Sequence, residues 1–150
     1  MALKSDRIEA YTDISFFCND ASAERGVIAV HSTGGSGVAM DDSLAVVTIA
    51  ASQSGTKPAG LLLNDVVSLD LTRQHINWHK DEVQIGGKVT LLRVGQVTTD
   101  LVDGTPGAGD AAYVGPSGLI STSSSGATQI GTFLSSVDSD GYAKVSVNIQ

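Results

Sequence analysis

A single cysteine, Cys18, stands in a chain of 150 residues. That excludes an intramolecular disulfide, and a protein that folds without oxidative stapling fits synthesis in a reducing cytosol. A domain of this length needs no such staple, because it buries roughly 70% of the surface its unfolded chain exposes. Long apolar runs are missing as well. Stretches such as Leu44–Ala51 fall far short of the roughly 20 residues that cross a bilayer. The opening Met1-Ala-Leu-Lys-Ser-Asp-Arg lacks the apolar centre of a signal peptide, so the expectation is one soluble domain with no membrane partner.

Positive charge is scarce. The nine basic residues, Lys4, Arg7, Arg25, Lys57, Arg73, Lys80, Lys88, Arg93 and Lys144, are scattered against sixteen acids, for a net charge of −7. No cluster exists to neutralise a row of phosphates, which argues against nucleic acid as a partner. Glutamate is nearly absent: Glu9, Glu24 and Glu82 are the only three of the sixteen acids that are not aspartate. Aspartate favours turns and caps where glutamate favours helices, so the imbalance predicts a loop-rich chain poor in helix. Aromatics make up 5% of the residues, and only Trp78 and three tyrosines are available to stack on sugars. No window of a dozen residues carries a helical apolar stripe; a single turn between Asp20 and Gly26 is the most the sequence supports.

What is present has the period of strands. Ala143, Val145, Val147 and Ile149 alternate with Lys144, Ser146, Asn148 and Gln150, which marks a strand with one buried face. Asp140-Gly141 just before it suits a tight hairpin turn. Similar segments recur at Ile14–Phe17, Val27–Val30, Val46–Ile49, Val67–Leu71, Lys88–Val94, Ala111–Val114 and Thr132–Ser135, separated by Gly, Pro, Asn, Asp and Ser. The predicted fold is all-β, barrel- or sandwich-like. Residues 1–12 form an extended N-terminal arm outside the core, and 13–150 form a single β domain with a small C-terminal β unit. Asp-Gly-Thr-Pro-Gly-Ala-Gly at 103–109 is a long loop within that domain or a sub-boundary before the C-terminal unit.

Motifs that would carry chemistry fail on their context. Gly107-Ala-Gly-Asp-Ala-Ala fits a dinucleotide fingerprint formally, but Thr105-Pro106 precedes it and Tyr113-Val-Gly-Pro116 follows, leaving no helix to hold a pyrophosphate. Gly86-Gly-Lys-Val has the Gly-Lys of a phosphate loop without its spacing and reads as a turn into a strand. His75 and His79, beside Asp81 and Glu82, would share a helix face, but in a strand they lie roughly 13 Å apart, too far to share one ion. Asp138-Ser-Asp-Gly opens like a calcium loop whose later ligand positions are taken up by the C-terminal strand. Gly115-Pro-Ser-Gly and Gly34-Gly-Ser-Gly each set a serine among glycines without the strand-to-helix turn of a hydrolase nucleophile. Cys18 and His31 carry no spacing that pairs them, and a buried or inert cysteine is the expectation. The residues predict no enzyme, no cofactor and no metal.

Several blocks run together into a likeness. Lys57-Pro-Ala-Gly-Leu-Leu-Leu-Asn-Asp-Val-Val, Asn77-Trp-His-Lys-Asp-Glu and Gly86-Gly-Lys-Val-Thr-Leu-Leu-Arg-Val-Gly-Gln-Val-Thr-Thr-Asp are followed by Gly109-Asp-Ala-Ala-Tyr-Val, Gly118-Leu-Ile, Ile130-Gly-Thr-Phe-Leu-Ser and Asp138-Ser-Asp-Gly-Tyr-Ala-Lys-Val-Ser-Val. In texture and in these short blocks the chain resembles the head decoration (capsid cement) proteins of tailed bacteriophages. The resemblance implies a structural virion protein, made in the host bacterial cytoplasm, that binds the major capsid protein on the outer surface of the mature shell and steadies it against packaged DNA. It also implies a homo-oligomer, trimer or dimer, and an N-terminal contact arm. By position the matching segment holds Ala2, Leu3, Lys4, Arg7, Ile8 and Tyr11. A head fibre or tail-tube component shares the same all-β texture, and a carbohydrate-binding module or enzyme is a further alternative.

Overall fold

The computed structural model describes residues 3–20, 23–32, 45–49, 52–67 and 82–149. The described strands are β1 (Ile8–Cys18), β2 (Ile28–Ser32), β3 (Val46–Ile49), β4 (Pro58–Leu62), β5 (Asp65–Val67), β6 (Glu82–Gln84), β7 (Lys88–Thr99), β8 (Val102–Asp103), β9 (Ala111–Val114), β10 (Ile120–Ser121), β11 (Gln129–Phe133) and β12 (Ala143–Asn148). Ten of them form one sheet in the order β1-β3-β2-β4-β7-β12-β11-β9-β10-β8, while β5 and β6 make a separate parallel pair. β1 also pairs antiparallel with β7, so the first five strands of that order close on themselves as a barrel. The all-β, barrel-like expectation therefore holds.

The two faces of the barrel wall explain its composition. Residues paired across strands share a face: Cys18 with Val47, Ala29 with Gly60, and Leu62 with Leu91. Cys18, Ala29, Val47, Ala59, Leu62, Val89 and Leu91 pack together and fill the barrel. On the opposite face Ile28 pairs with Leu61, and Leu61 with Leu92. These three pack outward against Ala112, Val114, Ile130, Phe133, Val145 and Val147 of the C-terminal sheet. Strands buried on both faces read as continuous apolar runs, which is why Val27–Val30 and Leu61–Leu63 do not alternate. β12 is covered on one face only, and Val145 and Val147 are buried while Lys144 and Asn148 are exposed.

β7 belongs to both halves. Its first part pairs with β4 at Leu91 and Leu92, and its last part pairs with β12 from Val94 to Thr99. The passage from barrel to C-terminal sheet thus runs along one unbroken strand. Within the 103–109 segment, Asp103 ends β8, which pairs in parallel with β10, and the chain then leads on to β9.

Turns fall where the sequence sets them. Asp138 accepts hydrogen bonds from the backbone N–H of Asp140 and Tyr142, each at 2.9 Å, and Gly141 adopts φ +89°, so the Asp-Gly pair closes the hairpin between β11 and β12. These bonds, that of Tyr142 first, hold the exposed Asp138 carboxyl below the ordinary range. Of the turn expected between Asp20 and Gly26, residues 21 and 22 lie outside the described residues. The Asp20 carboxylate accepts the Ile49 N–H at 3.1 Å, and Ala23 bridges to Val66. Of the expected strand Val67–Leu71, only Val67 lies within the described residues, at the end of β5.

Candidate functional site: the outer strand of the barrel seam

The N-terminal segment is zipped along β7. Leu3 bridges to Thr99, the Lys4 N–H donates to the Thr98 carbonyl at 2.9 Å, and the pairing continues from Ile8 opposite Gln96 to Phe17 opposite Lys88. Leu3 is 1% exposed and packs in the outer core. This corrects the expectation of an arm free of the core. One leucine among charged neighbours looks too little to anchor a segment, but β7 extends well beyond the barrel and offers its free edge along that whole length. The strand β1 also runs through the expected boundary at residue 12. Ala2 lies outside the described residues.

Irregular pairing shapes this strand. Three steps of β1, Ile8 to Tyr11, match two steps of β7, Gln96 to Val94, so Ala10 is the extra residue of a bulge. Gln96 and Val94 share a face of β7, and the bulge therefore brings Ile8 and Tyr11 to one face of β1. Ile8, Tyr11 and Ile14 are 57%, 67% and 68% exposed, the largest exposures of any bulky apolar residue described. Gly95 makes the close pairing possible, since a Cβ there would lie 2.1 Å from the Ile8 carbonyl oxygen.

Charges around these residues are held in place. Arg7 pairs with Glu9, and the Lys4 ammonium sits 4.5 Å above the Tyr142 ring. Asp13 accepts hydrogen bonds from the Ser15 hydroxyl and from the Ser15 N–H at 2.8 Å. Those bonds, with lesser help from Arg93, lower its pKa. Arg93 donates Nε–H to the Ile149 carbonyl at 3.2 Å, and its Nη1 lies 3.9 Å from Asp13 Oδ2. Together Tyr11, Asp13, Arg93 and Ile149 line an open groove of about 510 Å³ beside the strand. Of the residues expected at a contact surface, Tyr11 lines this groove, Arg7 and Ile8 border a second one with Gln96 and Lys144, Lys4 stacks on Tyr142, and Leu3 is buried in the core. Ile14, which the sequence reading assigned to a strand only, completes the apolar set.

Elsewhere the candidate chemical motifs take structural roles. Gly107-Ala-Gly-Asp is a turn in which Asp110 Oδ2 accepts the Gly107 N–H at 2.7 Å before β9 begins. Gly86, at φ +82°, turns the chain toward β7. Cys18 is buried, and desolvation pushes its thiol up to about 11, away from thiolate chemistry at neutral pH. Cys18 and His31 both align with Val47 of the strand between them, which sets them two strand spacings, roughly 10 Å, apart. His31 instead meets the Phe16 ring edge-on at 5.5 Å. Ser117 adopts φ 56° in a short 3-10 turn between Pro116 and Gly118, not at a strand-to-helix elbow. His75, His79 and the Gly34-Gly-Ser-Gly segment lie outside the described residues. Among the described residues no three His, Cys, Asp or Glu side chains gather as metal ligands, and no helix is long and apolar enough to cross a membrane. No family model matches the sequence, and no curated protein matches it.

Proposed function

We propose that this chain is a structural virion protein of a tailed bacteriophage, a capsid decoration protein that binds the major capsid protein on the outer surface of the mature shell and ties neighbouring subunits together against the pressure of packaged DNA. The observation that carries this reading is the exposed apolar set on β1, Ile8, Tyr11 and Ile14, on a scaffold where, among the described residues, the other large apolar groups are mostly buried in two cores. Bulky apolar groups gathered on one strand of a packed β domain suit a contact surface, and a tyrosine flanked by isoleucines is the composition of a binding anchor. The blocks from Lys57 to Val147 that resemble decoration proteins supply the identity of the partner.

On this reading the contact is Lys4, Arg7, Ile8 and Tyr11, extended by Ile14. They lie on a strand already paired to β7, so little ordering cost is subtracted from affinity on docking. Repeated shell subunits give an oligomer several simultaneous footholds, and an acidic exterior keeps unbound copies soluble and apart from the DNA being confined. The test is co-sedimentation with mature capsids stripped of this protein. Wild type is expected to pellet with the shells. Tyr11→Ala is expected to cost about 2 kcal/mol, roughly a thirtyfold loss of affinity. Failure of the wild type to bind would sink the reading; undiminished binding by a folded Tyr11→Ala, Ile14→Ala double variant would move the contact elsewhere on the domain.

A further inference from the structure

We infer that Asp140-Gly141 is a site of spontaneous covalent change: the Asp140 carboxyl closes on the Gly141 backbone nitrogen to a succinimide ring, which water reopens to isoaspartate. The inference is independent of the shell-binding reading. The sequence offers two Asp-Gly pairs, Asp103-Gly104 and Asp140-Gly141, and no Asn-Gly pair. Such a ring closes most readily before glycine, where no Cβ obstructs the approach to the nitrogen. The fold decides between the two pairs.

Asp103 is held. Its Oδ2 accepts the Ser121 hydroxyl at 3.1 Å and its carbonyl accepts the Thr122 N–H at 3.3 Å, so the side chain and the peptide group that must swing together are both tied down. The space beside Gly104 is filled as well, since a Cβ there would lie 2.5 Å from Thr122 Oγ1. Asp140 is the reverse case. It is exposed in the turn between β11 and β12, and among the described residues nothing bonds its carboxylate. Apart from its chain neighbours, no atom lies within 4 Å of where a Gly141 Cβ would stand. The ring has room to form there.

The chemistry balances with water alone. The Gly141 nitrogen forms a bond to Asp140 Cγ, and the carboxyl hydroxyl leaves as water with the amide proton. Water then adds to either ring carbonyl: opening at Cγ restores aspartate, and opening at the main-chain carbonyl leaves the backbone running through Asp140 Cβ, one carbon longer. The turn carries its own brake. The Gly141 N–H donates to the Asp138 carbonyl at 3.1 Å, and the Asp138 carboxylate holds the N–H groups of Asp140 and Tyr142 at 2.9 Å. The nitrogen is free to attack only when these bonds open, so Asp138 sets the pace. After isomerisation the longer backbone no longer brings Tyr142, whose ring faces the Lys4 ammonium at 4.5 Å, into register with Asp138.

The test ages the full chain at physiological temperature in heavy-oxygen water and maps chymotryptic peptides by mass spectrometry with electron-transfer fragmentation. Solvent oxygen and isoaspartate are expected at residue 140 and not at 103, whereas protein unfolded in urea should show both. Asp138→Ala, confirmed as folded by circular dichroism, should accumulate isoaspartate at 140 severalfold faster. Asp138→Asn, whose side-chain oxygen still accepts both N–H groups, should return the rate toward that of the wild type. Asp140→Glu, which would have to close a larger ring, should form none. The melting temperature should fall on ageing in the wild type and hold in Asp140→Glu. Equal heavy oxygen at 103 and 140 in the folded protein, none at either, Asp138→Ala no faster than the wild type, or a melting temperature unmoved by isoaspartate would each overturn the inference.

Discussion

Truncating Leu3 to alanine asks whether the N-terminal segment belongs to the fold. Leu3 is 1% exposed, bridges to Thr99 and packs with the outer core that includes Val97 and Ala143. Leu→Ala at buried sites costs 2–5 kcal/mol, the larger values where the surroundings cannot close over the cavity. A segment near a chain end relaxes more readily than the middle of a sheet, which places the expected cost near 2–3 kcal/mol. For a chain of this size each kcal/mol lowers the melting temperature by roughly 2–4 °C, so the midpoint should fall by about 4–12 °C in differential scanning calorimetry. Ile14→Ala is the internal control. Its side chain is 68% exposed, and the expected change is within about 0.5 kcal/mol. Equal melting temperatures for Leu3→Ala and wild type would refute the zipped segment and return residues 1–12 to the status of an arm.

Other predictions follow from the same packing. Val145→Asp should unfold the domain, because Val145 is fully buried opposite Val97 and an unpaired carboxylate there costs several kcal/mol, whereas Lys144→Asp on the exposed face should leave the melting temperature nearly unchanged. Gly95→Ala should detach β1, since the added Cβ would lie 2.1 Å from the Ile8 carbonyl oxygen; limited proteolysis should then cut within residues 3–12, and resistance like that of the wild type would contradict the close pairing. Asp138→Ala should lower the melting temperature at neutral pH. Because the folded-state pKa of Asp138 is lowered, its stabilisation is present above the ordinary value of 3.8 and is lost as pH falls through the lower folded value, so the gap between variant and wild type should close in acid; a gap that stays constant would sever the turn's stability from the carboxylate.

Much of the architecture can be read from the chain, and the failures share a cause. Val46–Ile49 and Ala111–Val114 are strands with the expected limits, and the alternation from Ala143 reports a one-sided strand because only one face of β12 is covered. β4 goes unread because Pro58 opens it and Gly60 interrupts it. Gly60 is there because a Cβ would come within 2.9 Å of the Leu91 side chain, a neighbour distant in sequence. β7 is read only as far as Val94 for the same reason: Gly95 looks like a break, yet it admits the backbone of β1. The glycine- and proline-rich 103–109 segment has the composition of a linker, and only the parallel pairing of β8 with β10 shows that the sheet has already begun. At the candidate site, Lys4, Arg7, Ile8 and Tyr11 are placed by position in the chain, but Leu3 turns inward through its bridge to the buried Thr99 and Ile14 outward beside a bulge in the pairing with β7, neither of which local sequence reports.

The central claim is a place on the virion. Electron microscopy of purified virions carrying a label on this protein tests it most directly. The account predicts label spread over the outer surface of the head, at positions repeating with the shell lattice. Label confined to the tail, or virions carrying none, would contradict it.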